Sequence, residues 1–331
     1  MRKGEGAVME QYEFFSSPLK GIDCSFGNYL AKRKMMDAHR MDGNGIPDYA
    51  FAMDYECRRK LDSIPRFYDT AKTIAGTYVS RMTHEYIRTS MAVGPTQFPE
   101  IYEISCDCAR TLGIGIPNVF IQNDPTMNAF TYAMDDIQPM VVVHSGLMER
   151  MTSGELRYVI GHECGHIQNY HSAYEYLSQL VLNAGLSVAS GVSRLLAGLM
   201  TAGSSALLAA WSRAAEVTAD RAGMLCADRS EDCYSALAKI MYGGTIGSER
   251  EIDYSAIRAQ LEHTVTNIAK YSEILDSHPG VARRIAALQE FYECRIFYEW
   301  RPDQKEPGRL MREKEEADSR CKRYIDLTKN G

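Results

Sequence analysis

His162 and His166 stand four residues apart in the stretch Val159-Ile160-Gly161-His162-Glu163-Cys164-Gly165-His166-Ile167. On an α-helix that spacing puts both imidazoles on one face, one turn apart, where they can share a zinc ion at about 2.0–2.1 Å from each nitrogen. Glu163 sits beside the ion without reaching it and is placed to take a proton from an attacking water. The chemistry implied is metal-assisted hydrolysis. A catalytic zinc takes three protein ligands and keeps one position open, so a third ligand must come from elsewhere. Fifty residues after His166, Glu216 and Asp220 are four apart in Arg213-Ala214-Ala215-Glu216-Val217-Thr218-Ala219-Asp220-Arg221 and aim at one neighbour. Glu216 is assigned as the third ligand. Asp220 is assigned as the carboxylate that accepts a hydrogen bond from a ligand imidazole and fixes its tautomer. The alternative for this pair is an acidic surface face neutralised by Arg213 and Arg221.

Such a site needs rigid supports. Thr152 and Glu155 have the spacing of a capping box, and Leu156, Val159, Ile160 and Ile167 form an apolar stripe. A metal helix is therefore expected over residues 153–175 and a third-ligand helix over 211–227, with a small-residue helical insert over 180–210. Cys164, four residues after Ile160, is expected to face the core as a packing residue rather than a redox group. Upstream, apolar residues at helical spacing over 49–112 predict two or three helices, broken near Gly94-Pro95 and Pro99. Runs of β-branched and aromatic residues at 118–121, 128–132 and 140–143, bounded by prolines, predict a small antiparallel sheet beside the metal helix. The fold class expected is α+β and mostly helical. Residues 1–48 read as a polar N-terminal extension, 49–300 as one domain that holds the metal motif, and 301–331 as a charged, solvated helix or tail. The turn at Asp42-Gly43-Asn44-Gly45-Ile46-Pro47 lacks the residues of a calcium loop.

The chain of 331 residues is long enough to bury a large core. Its net charge of −6 gives no field favouring a phosphate backbone, so nucleic acid is not an expected partner. Nine scattered cysteines are an odd number without a compact framework and read as reduced thiols. The N-terminal stretch contains no apolar run of the kind an export signal needs. A cytoplasmic protein that is not secreted is the expectation, with membrane association through residues 180–212 as the less favoured alternative. Residues 180–212 hold two charge-free runs separated by Arg194. A membrane hairpin is one reading. Packed small-residue helices are preferred, because the longer run includes Gly198, Thr201, Gly203, Ser204, Ser205 and Ser212.

Taken together, His162-Glu163-Cys164-Gly165-His166, the later Glu216 and Asp220, Asn128-Ala129-Phe130-Thr131, the strand and turn from Met140 to Gly146, and Ser277-His278-Pro279 followed by Arg284-Ile285-Ala286-Ala287-Leu288 resemble the HtpX and CAAX-prenyl-protease family of gluzincin metallopeptidases. The likeness covers about residues 49–290 and is closer to soluble members. It implies a zincin-like fold, one Zn2+ per chain held by His162, His166 and Glu216, and Glu163 as catalytic base. The implied activity is a zinc-dependent endopeptidase acting on peptide or unfolded protein. Asn128, Ala129 and Phe130 would then form a strand whose edge pairs with an extended peptide, with a simple turn as the alternative for Asn128. His278 would donate to the oxyanion of the tetrahedral intermediate, or merely cap a helix. His144, His171 and His263 read as ordinary histidines. The rival readings are a non-catalytic zinc-stabilised interaction protein, whose site would be closed by a fourth ligand, and a membrane-embedded protease of the same family.

Overall fold

The computed structural model describes residues 45–134, 137–183, 202–244 and 279–327, with Met41 and a few positions between 253 and 259. Among the described residues three helices come first: α1 (Ala52–Asp62), α2 (Phe67–Thr89) and α3 (Pro99–Leu112). Pro99 opens α3, where its missing N–H costs nothing, and Gly113 closes it at a φ of 68°. Strand β1 (Met91–Ala92) lies between α2 and α3, at a point where the sequence pattern signals only a helix break. Strands β2 (Asn118–Gln122), β3 (Ala129–Met134) and β4 (Ile137–His144) follow.

The sheet is mixed, in the order β1-β2-β4-β3, which corrects the antiparallel expectation. β3 and β4 form an antiparallel hairpin, yet β4 pairs with β2 in parallel. The short link after β2 carries the chain across to the outer position, and β4 then returns between its two predecessors. A central strand suits β4, since Val141, Val142 and Val143 are fully buried and both of its faces are covered. Val141 and Val143 join the main core with Val159, Ile160 and Ile167 of the helix that carries His162 and His166. Met140 and Val142 face the other way, with Phe120 and Tyr86 of α2. Alternation along one strand thus seats the sheet between two helical layers.

The remaining long elements among the described residues are helices: α4 (Ser145–Arg150), α5 (Ser153–Gln168), α6 (Ser172–Asn183), α7 (Ala202–Cys226), α8 (Ser230–Tyr242), α9 (Val281–Tyr292), α10 (Arg295–Trp300) and α11 (Lys314–Ile325). The metal helix expected over 153–175 is in fact two. Asn169 ends α5, Tyr170 turns at a φ of 57°, and α6 begins at Ser172. The third-ligand helix starts earlier than expected, at Ala202, and takes over the end of the small-residue insert; residues 184–201 of that insert lie outside the described residues, as does most of the 1–48 extension. Among the described residues no helix is long and apolar enough to cross a membrane.

Of the solvated helix or tail expected at the C-terminus the structure has the helix, though not fully solvated. Helix α11 buries Ala317, Asp318, Cys321 and Ile325. Asp318 pairs there with the fully buried Arg221 of α7 at 2.7 Å. The charge that suggested solvation lies on the opposite, exposed face, while one stripe of the helix docks on the core.

Candidate metal centre and active-site cleft

Helix α5 is held firmly before any ligand is considered. Thr152 and Glu155 form the capping box that their spacing predicts. The Glu155 carboxylate also accepts from Lys239 Nζ of α8 at 2.6 Å, which ties the helix start to the far side of the core. Further along, Gly161 and Gly165 face α7. A Cβ on Gly161 would come within 2.6 Å of the Cys226 Cβ, and one on Gly165 within 2.6 Å of the Ala222 Cβ. The two glycines let the backbones approach closely, so residues of α7 reach those of α5.

That approach brings His162, His166 and Glu216 together, all three buried, as a group able to hold a metal ion. Nε2 of His162 and Nε2 of His166 are 3.1 Å apart. The Glu216 carboxylate lies 3.7 Å from the first through Oε2 and 3.5 Å from the second through Oε1. A tetrahedral cation with bonds of about 2.0–2.1 Å needs ligand atoms about 3.3 Å apart. The donor set therefore fits such an ion. Among the described residues the group numbers three; Cys164 is fully buried on the core side.

The outward nitrogens are also engaged. His162 Nδ1 lies 2.9 Å from Asp220 Oδ1, an oxygen that also accepts from the Tyr158 hydroxyl at 2.7 Å. Arg284 of α9 grips the same carboxylate, donating from Nε to Oδ2 at 2.8 Å and from Nη2 to Oδ1 at 2.5 Å, and its Nη1 stands 3.3 Å from Glu216 Oε2. Burial would raise the Asp220 pKa, but the Arg284 charge and hydrogen bonds outweigh it and hold the group at about 2. Arg213 and Arg221, the partners of the surface-face alternative, are themselves buried, and the structure has no exposed acidic face there. Arg284 has no sequence signal of its own beyond its place in the family pattern; only the excess of buried negative charge could have called for it.

Glu163 is buried beside the two histidines and accepts from the Thr131 hydroxyl of β3 at 2.7 Å. Burial pushes its carboxyl above the usual carboxylate range, against the opposing pull of His162, His166 and Thr131. That direction suits a group that must accept a proton near neutral pH. Thr131 gave no signal beyond its place in the run after Asn128.

A cleft of about 450 Å³ opens over these groups, bordered by Asn128, Ala129, Phe130, Thr131, Glu163 and Arg284 among others. β3 is the outer strand of the sheet on this side. Asn128 precedes the strand, exposed, and its carbonyl accepts from the His144 N–H at 3.0 Å. The ring of Phe130 is taken up by Tyr86, Tyr132 and His144. His278 lies outside the described residues; Pro279, next to it, lines the cleft. His171, read from sequence as ordinary, is fully buried and stands against His166, with 3.0 Å between their Nδ1 atoms.

Residues 95–292, more than half of the chain, match the model of peptidase family M48. The plastoglobule-localized metallopeptidase 48 of Arabidopsis thaliana, a chloroplastic protein, is 29% identical over 197 residues, 59% of this chain and 56% of that protein. Protease HtpX of Thioalkalivibrio sulfidiphilus is 32% identical over 205 residues, 55% of this chain and 67% of its own length. The HtpX homolog of Bifidobacterium longum is 26% identical over 224 residues, 60% of this chain and 72% of its own. The match thus spans little more than half of the plant relative. The crystal structure of Ste24p from S. mikatae aligns with a TM-score of 0.41 at 16% identity, over 71% of this chain and 62% of that one.

Proposed function

Because this chain belongs to peptidase family M48, we propose that it is a zinc-dependent endopeptidase that cleaves peptide or unfolded-protein substrates in the cleft beside β3. His162, His166 and Glu216 would hold one Zn2+ per chain. When bound, the ion supplies a Lewis acid that acidifies water and polarises the scissile carbonyl. The protein's own groups do the rest. Asp220, clamped by Arg284, fixes the proton of His162 on Nδ1, so that Nε2 presents a lone pair. Glu163 is the general base. It takes a proton from water at its carboxylate and returns it to the leaving amine, with Thr131 holding the carboxylate in place. The outer strand β3 offers main-chain groups to an extended peptide, which orients the bond to be cut. Asn128 and Ala129 are positioned to line that peptide. Phe130 contributes through its strand, since its ring is packed elsewhere. His278 is retained as the candidate oxyanion donor from the Pro279 side of the cleft.

The observation that carries the reading is the buried Glu163 carboxylate set beside a convergent His-His-Glu donor set. A structural site has no use for such a base, and its closure by a fourth ligand, usually cysteine, finds no support in the inward-facing Cys164. The eight described cysteines are free and buried, which supports work in a reducing, cytoplasmic setting.

The experiment is cleavage of an unfolded protein by the purified chain, with and without a chelator, alongside Glu163→Gln. The expected result is chelator-sensitive cleavage, and a variant that keeps one zinc per chain with activity lowered by at least about 10²–10⁴-fold. Full activity in Glu163→Gln, or cleavage indifferent to the chelator, would overturn the proposal.

A further inference from the structure

The two ligand imidazoles are not supported alike. His162 rests on a carboxylate, that of Asp220. Behind His166 stands another histidine: its Nδ1 lies 3.0 Å from Nδ1 of His171, and Nε2 of His171 lies 3.0 Å from Asp54 Oδ2. The remaining carboxylate nearby, Glu175, has its Oε2 at 3.6 Å from His166 Nδ1, beyond hydrogen-bonding range. The interruption of the helix between α5 and α6 makes this possible. The left-handed turn at Tyr170 folds the backbone back, so that the His171 N–H donates to the His166 carbonyl at 3.1 Å and the two rings meet edge to face.

Hydrogen-bond chemistry then dictates where each proton resides. Asp54 is fully buried and, as a carboxylate, can only accept. It accepts from the Trp211 indole N–H at 2.9 Å and the Thr218 hydroxyl at 2.8 Å, both on α7, the helix that carries Glu216. The nitrogen of His171 facing Asp54 must therefore carry a hydrogen, which leaves Nδ1 of a neutral His171 with a lone pair. Only His166 can supply the hydrogen between the two rings. Its Nδ1 is the donor, and its Nε2 is left bare, facing His162 and Glu216.

We propose that His171 is a positioning residue for the metal centre. The chain Asp54, His171, His166 sets the tautomer and ring angle of His166, doing with a relayed imidazole what Asp220 does directly for His162. This rests on the reading of His166 as a metal ligand. Asp54 comes from α1, outside the 95–292 region that matches the family model, so the far end of the relay is supplied by a preceding helix. Because Trp211 and Thr218 tie Asp54 to α7, the relay also fixes α1 to the helix of the third ligand.

Two measurements on the full chain test it. The first needs no variant: long-range proton–nitrogen NMR on histidine-labelled protein, with and without zinc. The expected pattern is a His171 protonated on Nε2 and a His166 protonated on Nδ1. A His171 carrying its proton on Nδ1 overturns the proposal in either state. The second is zinc affinity by chelator competition for the wild type, His171→Phe and His171→Gln, together with the unfolding midpoint of each metal-free chain. Phe keeps the contact with Trp211 but accepts nothing, and the Gln amide oxygen restores an acceptor. A 10–100-fold loss of affinity in His171→Phe, recovered in His171→Gln, is expected. Equal affinity of wild type and His171→Phe, or no recovery with Gln, overturns the relay while leaving the metal site intact. A wild type that binds no zinc sinks the metal reading itself, a result distinct from either.

Discussion

Gly165 of α5 faces Ala222 of α7 so closely that a methyl group on the glycine would sit 2.6 Å from the Ala222 Cβ. Since α5 carries both histidines and α7 carries Glu216, this contact sets the span of the donor set. Gly165→Ala is expected to cost about 1–3 kcal/mol by overpacking and to weaken zinc binding by moving Glu216 outward. Urea unfolding of the metal-free chain and chelator competition would measure both. Gly94→Ala, where the added methyl meets nothing within 4 Å, serves as the neutral control.

Thr131 holds the Glu163 carboxylate from across the cleft, so Thr131→Val should reduce kcat by about 10–100-fold, the scale of a hydrogen bond to a charged group. Zinc content should be unchanged. Removing a donor that stabilises the ionised form raises the Glu163 pKa further, so the acid limb of the kcat/KM profile should move to higher pH. An unmoved limb would argue that Thr131 acts only on the fold.

That His162 shares a helix face with His166, and Glu216 with Asp220, was legible from sequence because a helix repeats every 3.6 residues and four-residue spacing aligns two side chains. The capping box of Thr152 was legible for the same local reason. What escaped were partners brought in from distant elements. Arg284, Thr131, His171 and Asp54 reach the centre from α9, β3, the α5–α6 turn and α1, and no local period announces them. The parallel pairing of β2 with β4 escaped similarly: strand patterns encode which residues are buried, whereas the order in the sheet depends on where the link after β2 runs. The C-terminal helix misled because charge dominates its composition, while docking needs only the stripe of Ala317, Cys321 and Ile325.

Arg284→Met should expose the cost of the negative charge it offsets. Asp220 and Glu216 would be left buried beside each other without their guanidinium, a type of loss worth about 3–5 kcal/mol. The expected signature is a large drop in the stability of the metal-free chain that added zinc partly restores, since the cation neutralises the same carboxylates. A denaturation series with and without zinc measures it, and equal destabilisation in both would contradict that account.

Acid should loosen the contact between α11 and α7. Burial would raise the Asp318 pKa, but Arg221 and Lys314 outweigh it and hold the group below its ordinary value. A depressed folded-state value means that the stabilisation is fully present above the unfolded pKa of about 3.9 and is lost as pH falls below it. Asp318→Asn lacks that contribution at every pH. The gap in melting midpoint between wild type and variant should therefore be widest near pH 7 and narrow below about pH 4. A gap that does not change with pH would show that the carboxylate charge is immaterial.

The position of β3 at the margin of the sheet has a consequence for what such an enzyme would accept. Backbone amides and carbonyls are common to every polypeptide, so recognition along this margin sorts by conformation before it sorts by side chain. A segment already committed to a helix or an interior strand has no spare groups to offer, while any stretch that can be drawn out straight does. Vulnerability to cleavage would then track how often a target locally comes apart, and the cleft would act as a sensor of damage more than as a reader of sequence.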